Sequence, residues 1–290
     1  MATLYSPATP QFRRPVQARR QRTGASVFLA VALGYLFLLP PQFNLEIAGS
    51  VIPPYRFLLL PSTLFLLAQG LRGSLRFSRI DFLVILAMGW IALALSMTSD
   101  FYDMLTSVVA QGSDILLAYF FGRATIRSLR DLRVFLLLML PGVATVAAIM
   151  VIESITHTHI IQGIASQITG KPLNYRPDPR FGLMRARGPF PHPIGAGLYV
   201  ATFIPLYWLS GIKRMPRYIG SVSGVATFFT VSSGAFLALL ASIGLLVYNW
   251  LAERIANFSW RIFIILGSLM VFVLELGTNT GTMSFVIRVA

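Results

Sequence analysis

The sequence predicts an all-α fold, a polytopic transmembrane helical bundle of about nine spans with its N-terminus cytoplasmic. Three observations carry this reading. The mean hydropathy is +0.71, and only 12% of residues are charged, about half the share usual in a soluble domain. Long apolar runs recur at lengths close to the ~20 residues a helix needs to cross a bilayer core. Finally, 17 of the 24 Lys and Arg residues fall in alternate connectors. That is the bias expected of segments held on the inner face of a membrane.

Residues 1–25 are rich in Pro, Gln and Arg (Arg13, Arg14, Arg19, Arg20, Arg22) and read as a disordered basic cytosolic tail. No small-residue cleavage site follows the first apolar run, so the tail is not a signal peptide. The transmembrane domain takes 26–290. Its expected spans begin with about Ser26–Pro40, Pro54–Gln69, Phe82–Met97, Leu105–Gly122 and Val134–Ile152. After a polar loop at 153–191 come about Ile194–Leu209, Tyr218–Val231, Ala235–Trp250 and Ile262–Leu276. The connector arginines Arg123, Arg127, Arg130 and Arg133 recur at helical spacing and are expected to share one face at the lipid headgroups. A net charge of +14 would suggest nucleic acid in a soluble chain. Between spans the same residues set orientation, so no nucleic-acid partner is expected. The chain has no cysteine, which excludes disulfides and thiolate metal sites.

The 153–191 loop breaks the charge rule. It is expected to be polar throughout and to face outward, yet it carries Lys171, Arg176, Arg180, Arg185 and Arg187 against Asp178. Those cations can pair with anionic lipid headgroups, or bind an anionic ligand such as a phosphate or diphosphate. The planar guanidinium fork suits the second role. The end of the loop, Arg185-Ala186-Arg187-Gly188-Pro189-Phe190-Pro191-His192-Pro193, leads into a span. Free N–H groups at the helix start favour an anion there. Two arginines at i, i+2 on a stiff stretch converge only partly. One is expected to bind ligand and the other to hold the loop, and Arg187 is the better ligand contact.

His192 suits a general base at neutral pH but, between two prolines, reads better as a structural hydrogen bond. His157, His159 and His192 lack an acidic or cysteine partner for zinc, so neither metal nor cofactor is expected. Arg56, just inside its span, either snorkels or adds a second anion contact. Asp114 lies mid-span and reads best as part of an ion pair or hydrogen bond within the bundle. Glu153 and Glu275, at outer span ends, could orient the arginines or bind a sugar hydroxyl.

Three stretches carry a family resemblance: Arg187-Gly188-Pro189-Phe190 with His192-Pro193-Ile194 and Gly197; Val231-Ser232-Ser233-Gly234-Ala235-Phe236-Leu237-Ala238-Leu239-Leu240; and Thr278-Asn279-Thr280-Gly281-Thr282 followed by Met283–Arg288. In that order they resemble the O-antigen ligase and polysaccharide polymerase group of bacterial inner-membrane proteins, over nearly the whole chain. The resemblance implies metal-independent glycosyl transfer at the periplasmic face. The donor would be a glycan on undecaprenyl diphosphate, and the acceptor another glycan or lipid A core. It also implies that arginines hold the diphosphate leaving group, a role that falls on Arg187, with Arg185, Arg56 and Arg180 as further candidates. Polysaccharide export and chain-length proteins are the implied partners beyond the substrates and the bilayer.

Two departures qualify it. Many members have Ser-Arg-Gly where this chain has Ser232-Ser233-Gly234. The sequence reaches Ala290 before the long outer loop that bears the family's base histidine, so the expectation is a truncated reading frame, a fragment or a divergent short member. Two rivals follow: a transporter or flippase for a lipid-linked glycan, and a non-catalytic assembly partner.

Overall fold

The computed structural model describes residues 26–255, except 48–49, 74–76, 99 and 174–177, together with 261–262, 264–265 and 267–269. Ten α-helices account for most of the described residues. They are α1 (Ser26–Leu36), α2 (Arg56–Leu71), α3 (Arg79–Ser96), α4 (Phe101–Gly112), α5 (Ala118–Thr125), α6 (Leu129–Thr156), α7 (Ile160–Thr169), α8 (Pro193–Leu209), α9 (Met215–Ser223) and α10 (Ser233–Arg254). Two small antiparallel hairpins complete it: β1 (Leu45–Ile47) with β2 (Ser50–Ile52), and β3 (Pro179–Arg180) with β4 (Leu183–Met184).

Four helical segments are long and apolar enough to cross a membrane: Arg79–Ser96, Phe101–Thr125, Leu129–Thr156 and Ser233–Arg254. Three shorter apolar helices, α1, α2 and α8, accompany them. Their outward faces carry large apolar side chains such as Leu64, Trp90 and Leu240. An apolar exterior of this extent belongs in lipid, and the chain is a membrane protein. The expected ninth span, 262–276, lies largely outside the described residues.

The helix boundaries follow from local chemistry. Ser78 caps α3 in a capping box with Asp81, each side chain taking the other's backbone N–H. Ser128 caps α6 by accepting from Asp131 N at 3.1 Å. That cap ends the idea of a shared arginine face. The chain turns extended at Ile126, so Arg123 precedes the break, Arg127 lies within it, and Arg130 and Arg133 follow it. Arg123 pairs with Asp81, Arg127 donates to Gln69 Oε1 at 2.9 Å, and Arg133 donates to the Ser210 carbonyl at 2.7 Å.

α6 is the mast of the bundle. Its Leu136, Met139 and Val143 pack with Phe203 and Tyr207 of α8, and Val146 and Met150 pack with Ala186, Ala196 and Val200. A second core joins α1, α2 and α5 through Leu33, Leu59 and Phe121. Close approach of α8 to α10 needs Gly197, where a Cβ would stand 2.3 Å from the Ala235 Cβ. The expected seventh span is not one helix: α9 gives way to a 3-10 segment, Gly224–Thr230, ending at Val231 with φ +44°. Nor is the 153–191 loop polar throughout. Ile160, Ile161, Ile164 and Ile168 recur at helical spacing in α7, and that stripe packs beside Pro40 and Phe43.

Candidate functional site: a basic turn anchored on a buried carboxylate

Glu153, in the last turn of α6, is fully buried. Its Oε1 accepts from the backbone N–H of Ile160 at 2.9 Å and of Ile161 at 3.4 Å. Its Oε2 accepts from the backbone N–H of Gly188 at 2.9 Å and of Arg187 at 3.2 Å. One carboxylate therefore supplies the acceptors for the N-terminus of α7 and for the basic turn. The positive end of the α7 dipole favours the charge, and the four amides replace its water shell. His159 adds a nitrogen 4.0 Å from Oε2.

The turn itself is Arg187-Gly188-Pro189-Phe190, closed by Phe190 N–H donating to the Arg187 carbonyl at 3.0 Å. Gly188 has φ +54°, and a Cβ there would meet Met150 and Val146 at 3.4 and 3.5 Å. Those distances are ordinary van der Waals contacts, so it is the left-handed backbone that calls for glycine between Arg187 and Pro189. Arg187 is half-buried, and its Nη1 donates to the Pro191 carbonyl at 3.1 Å.

Arg185 is held differently. It is 8% exposed, its Nη1 pairs with Asp178 Oδ2 at 2.7 Å, and its Nε donates to the Thr230 carbonyl at 3.4 Å. Ala186 N–H donates to the Phe229 carbonyl at 3.0 Å. The strained turn before α10 thus presents two carbonyls that dock the loop. Hydrogen bonding from the Arg185 guanidinium holds the Asp178 carboxyl below the usual carboxylate range, and the Arg180 and Arg187 charges add to the effect.

Arg180 is exposed on the β3–β4 hairpin, whose tip residues Phe181 and Gly182 have φ +53° and +75°. His192 is the N-cap of α8, its Nδ1 accepting from Ile194 N at 3.4 Å. Partial burial, then the charges of Arg185 and Arg187, lower its pKa below the usual histidine value. Arg180, Arg185, Arg187, Asp178 and His192 therefore share one electrostatic neighbourhood.

Arg56 is engaged elsewhere. Its Nε and Nη2 reach the two carboxylate oxygens of Asp114, each at 2.8 Å, and Tyr55 donates to Oδ2 at 3.1 Å. Asp114 sits in a π turn, Ser113–Leu117, between α4 and α5. Among the described residues no group of three or more His, Asp or Glu side chains is placed to hold a metal. Glu275 lies outside the described residues.

Sequence reasoning saw Glu153 as one of two unspecific acids and missed Gln162 and Tyr199. Gln162 is fully buried and donates to the Phe190 carbonyl at 2.5 Å, while the Tyr199 ring lies 5.0 Å from that of Phe190 with their planes tilted by 45°. Both contact the same turn from flanking helices, a relation that only the tertiary fold creates. No family model, curated protein or solved structure matches the chain.

Proposed function

We propose that this chain is a multi-pass bacterial inner-membrane protein of the O-antigen ligase and polymerase type. Its N-terminus is cytoplasmic, and it handles undecaprenyl-diphosphate-linked glycan at the periplasmic face. The observation that carries the reading is the turn that Glu153 fixes at Arg187, beside the charges of Arg180 and Arg185. In the reaction, an acceptor hydroxyl attacks the anomeric carbon and the lipid diphosphate leaves. Arg187 stabilises the charge that develops on the leaving oxygen, with Arg180 adding long-range field. Arg185 keeps the loop in place through Asp178 and the Thr230 carbonyl.

The test is Arg187→Ala in a deletion strain, assayed for polymerised or ligated surface glycan with protein level measured in parallel. Loss of product at normal protein level is expected, and unchanged product removes the assigned role. One observation favours the rival, a transporter: Asp114, paired with Arg56 of α2, sits in the π turn of the Phe101–Thr125 segment, a backbone irregularity that often marks functional sites. A transporter would move lipid-linked glycan between leaflets of reconstituted vesicles with its covalent structure unchanged.

A further inference from the structure

A second concave feature lies away from the basic turn and depends on none of the glycan reading. α3 packs mainly against α4, and α2 packs against α5 and the π turn. A cleft of about 740 Å³ lies between α2 and the π turn with α5, closed at one end by Phe77 and by Asp81 at the start of α3. Leu66, Leu67, Leu71, Leu117 and Phe120 make its walls apolar. Phe77 stands edge-on to Phe120 at 6.0 Å at its mouth.

One end of the cleft is polar and basic. Asp81 and Arg123 line it as an ion pair, and Tyr119 donates to Asp81 Oδ1 at 2.7 Å. Asp81 is fully buried, and its oxygens are used by Arg123, Tyr119 and the Ser78 cap. Around this end stand Arg72, which directly follows the lining residue Leu71, and Arg79 in the first turn of α3, both exposed. Arg127 joins them through its bond to Gln69, next to the lining residue Gly70.

We infer that this cleft is a site for one anionic diacyl phospholipid, with an acyl chain between α2 and α5 and its phosphate headgroup at Arg72, Arg79 and Arg127. Two complementarities carry this. The walls match hydrocarbon, and the basic end has one carboxylate lining it, already neutralised. Basic pockets between membrane helices are where anionic headgroups bind.

The test uses the full chain purified in detergent and titrated with phosphatidylglycerol or phosphatidylcholine of identical acyl chains, read by native mass spectrometry. Phosphatidylglycerol is expected to be retained at least fivefold better. The double variant Arg72→Gln/Arg79→Gln alters only exposed groups outside the Asp81 pair and is expected to lower that retention about tenfold. Leu67→Trp fills the cleft and is expected to displace either lipid. Equal retention of the two lipids by the wild type overturns the site, as does unchanged retention in either variant. A dimer that Leu67→Trp disperses, with no lipid bound, would assign the cleft to a second copy of the chain and equally overturn it.

Discussion

Glu153 and Asp178 are the two carboxylates on which the basic turn depends, and each makes a separable prediction. Replacing Glu153 by Ala leaves four backbone N–H groups without their acceptor. Each orphaned buried group costs about 1–3 kcal/mol, so Glu153→Ala should lower stability by about 3 kcal/mol or more in detergent unfolding. Glu153→Gln keeps one acceptor oxygen and should fall between. An unchanged midpoint in both would show that the four bonds contribute nothing. The Asp178–Arg185 pair should behave as a unit, with Asp178→Asn and Arg185→Gln costing little more together than singly. The two titrations act in different pH windows. The Asp178 pKa is lowered in the fold, so its contribution is complete above the ordinary carboxylate value and disappears as pH falls through the lowered one. The fold also favours neutral His192, so acidification below about 6.5 destabilises the wild type as the unfolded chain takes the proton more readily. His192→Gln should remove that mild-acid component, seen as a flatter unfolding midpoint between pH 7.5 and 5.5. Sequence alone shows Glu153 as an acid at a span end. Its partners are backbone amides up to 35 positions away, and no side-chain pattern encodes them. His192 was legible because a cap before a proline is a local relation.

At the scale of elements, the hairpin at 179–184 carries a visible strain. Phe181 adopts a left-handed φ of +53° while 94% exposed, in a two-residue turn whose geometry favours Asn-Gly. Phe181→Asn should therefore strengthen the hairpin, measured as slower amide exchange at Leu183 and Met184. Faster exchange would mean that the exposed ring is itself a contact. The exposed phenyl group beside Arg180 also fits a hairpin tip that dips into the headgroup layer, so the same variant should bind anionic vesicles less well. The helices were largely legible because runs such as Phe82–Met97 are uniformly apolar, although the caps Ser78 and Ser128 start α3 and α6 before the expected Phe82 and Val134. The breaks were not. The 3-10 segment at 224–230 and the π turn at 113–117 differ from α-helix by single backbone bonds, and their composition is as apolar as that of their neighbours. α7 escaped notice because His157, Thr158 and Gln162 masked an isoleucine stripe that shows only at helical spacing.

Across the whole molecule, α6 packs along its length against α8 and the basic loop and ends at the carboxylate that fixes the basic turn. The loop's excess of cations was plain from sequence, whereas their division between Asp178 and the turn needed the fold. The cysteine-free chain allows orientation to be tested cleanly. Cysteine at exposed Gln167 (Gln167→Cys) should react with a membrane-impermeant maleimide in intact spheroplasts, and cysteine at exposed Lys213 (Lys213→Cys) only after permeabilisation. The reverse pattern would place the basic loop in the cytosol. The central claim is that Arg187 holds a lipid diphosphate, and direct binding tests it most closely. Purified wild-type protein and Arg187→Ala, each reconstituted in nanodiscs, would be titrated with undecaprenyl diphosphate and with undecaprenol. The account predicts saturable binding of the diphosphate by the wild type, at least tenfold weaker in Arg187→Ala, with undecaprenol bound weakly by both. Equal affinity of wild type and variant for the diphosphate, with both proteins folded, would contradict it.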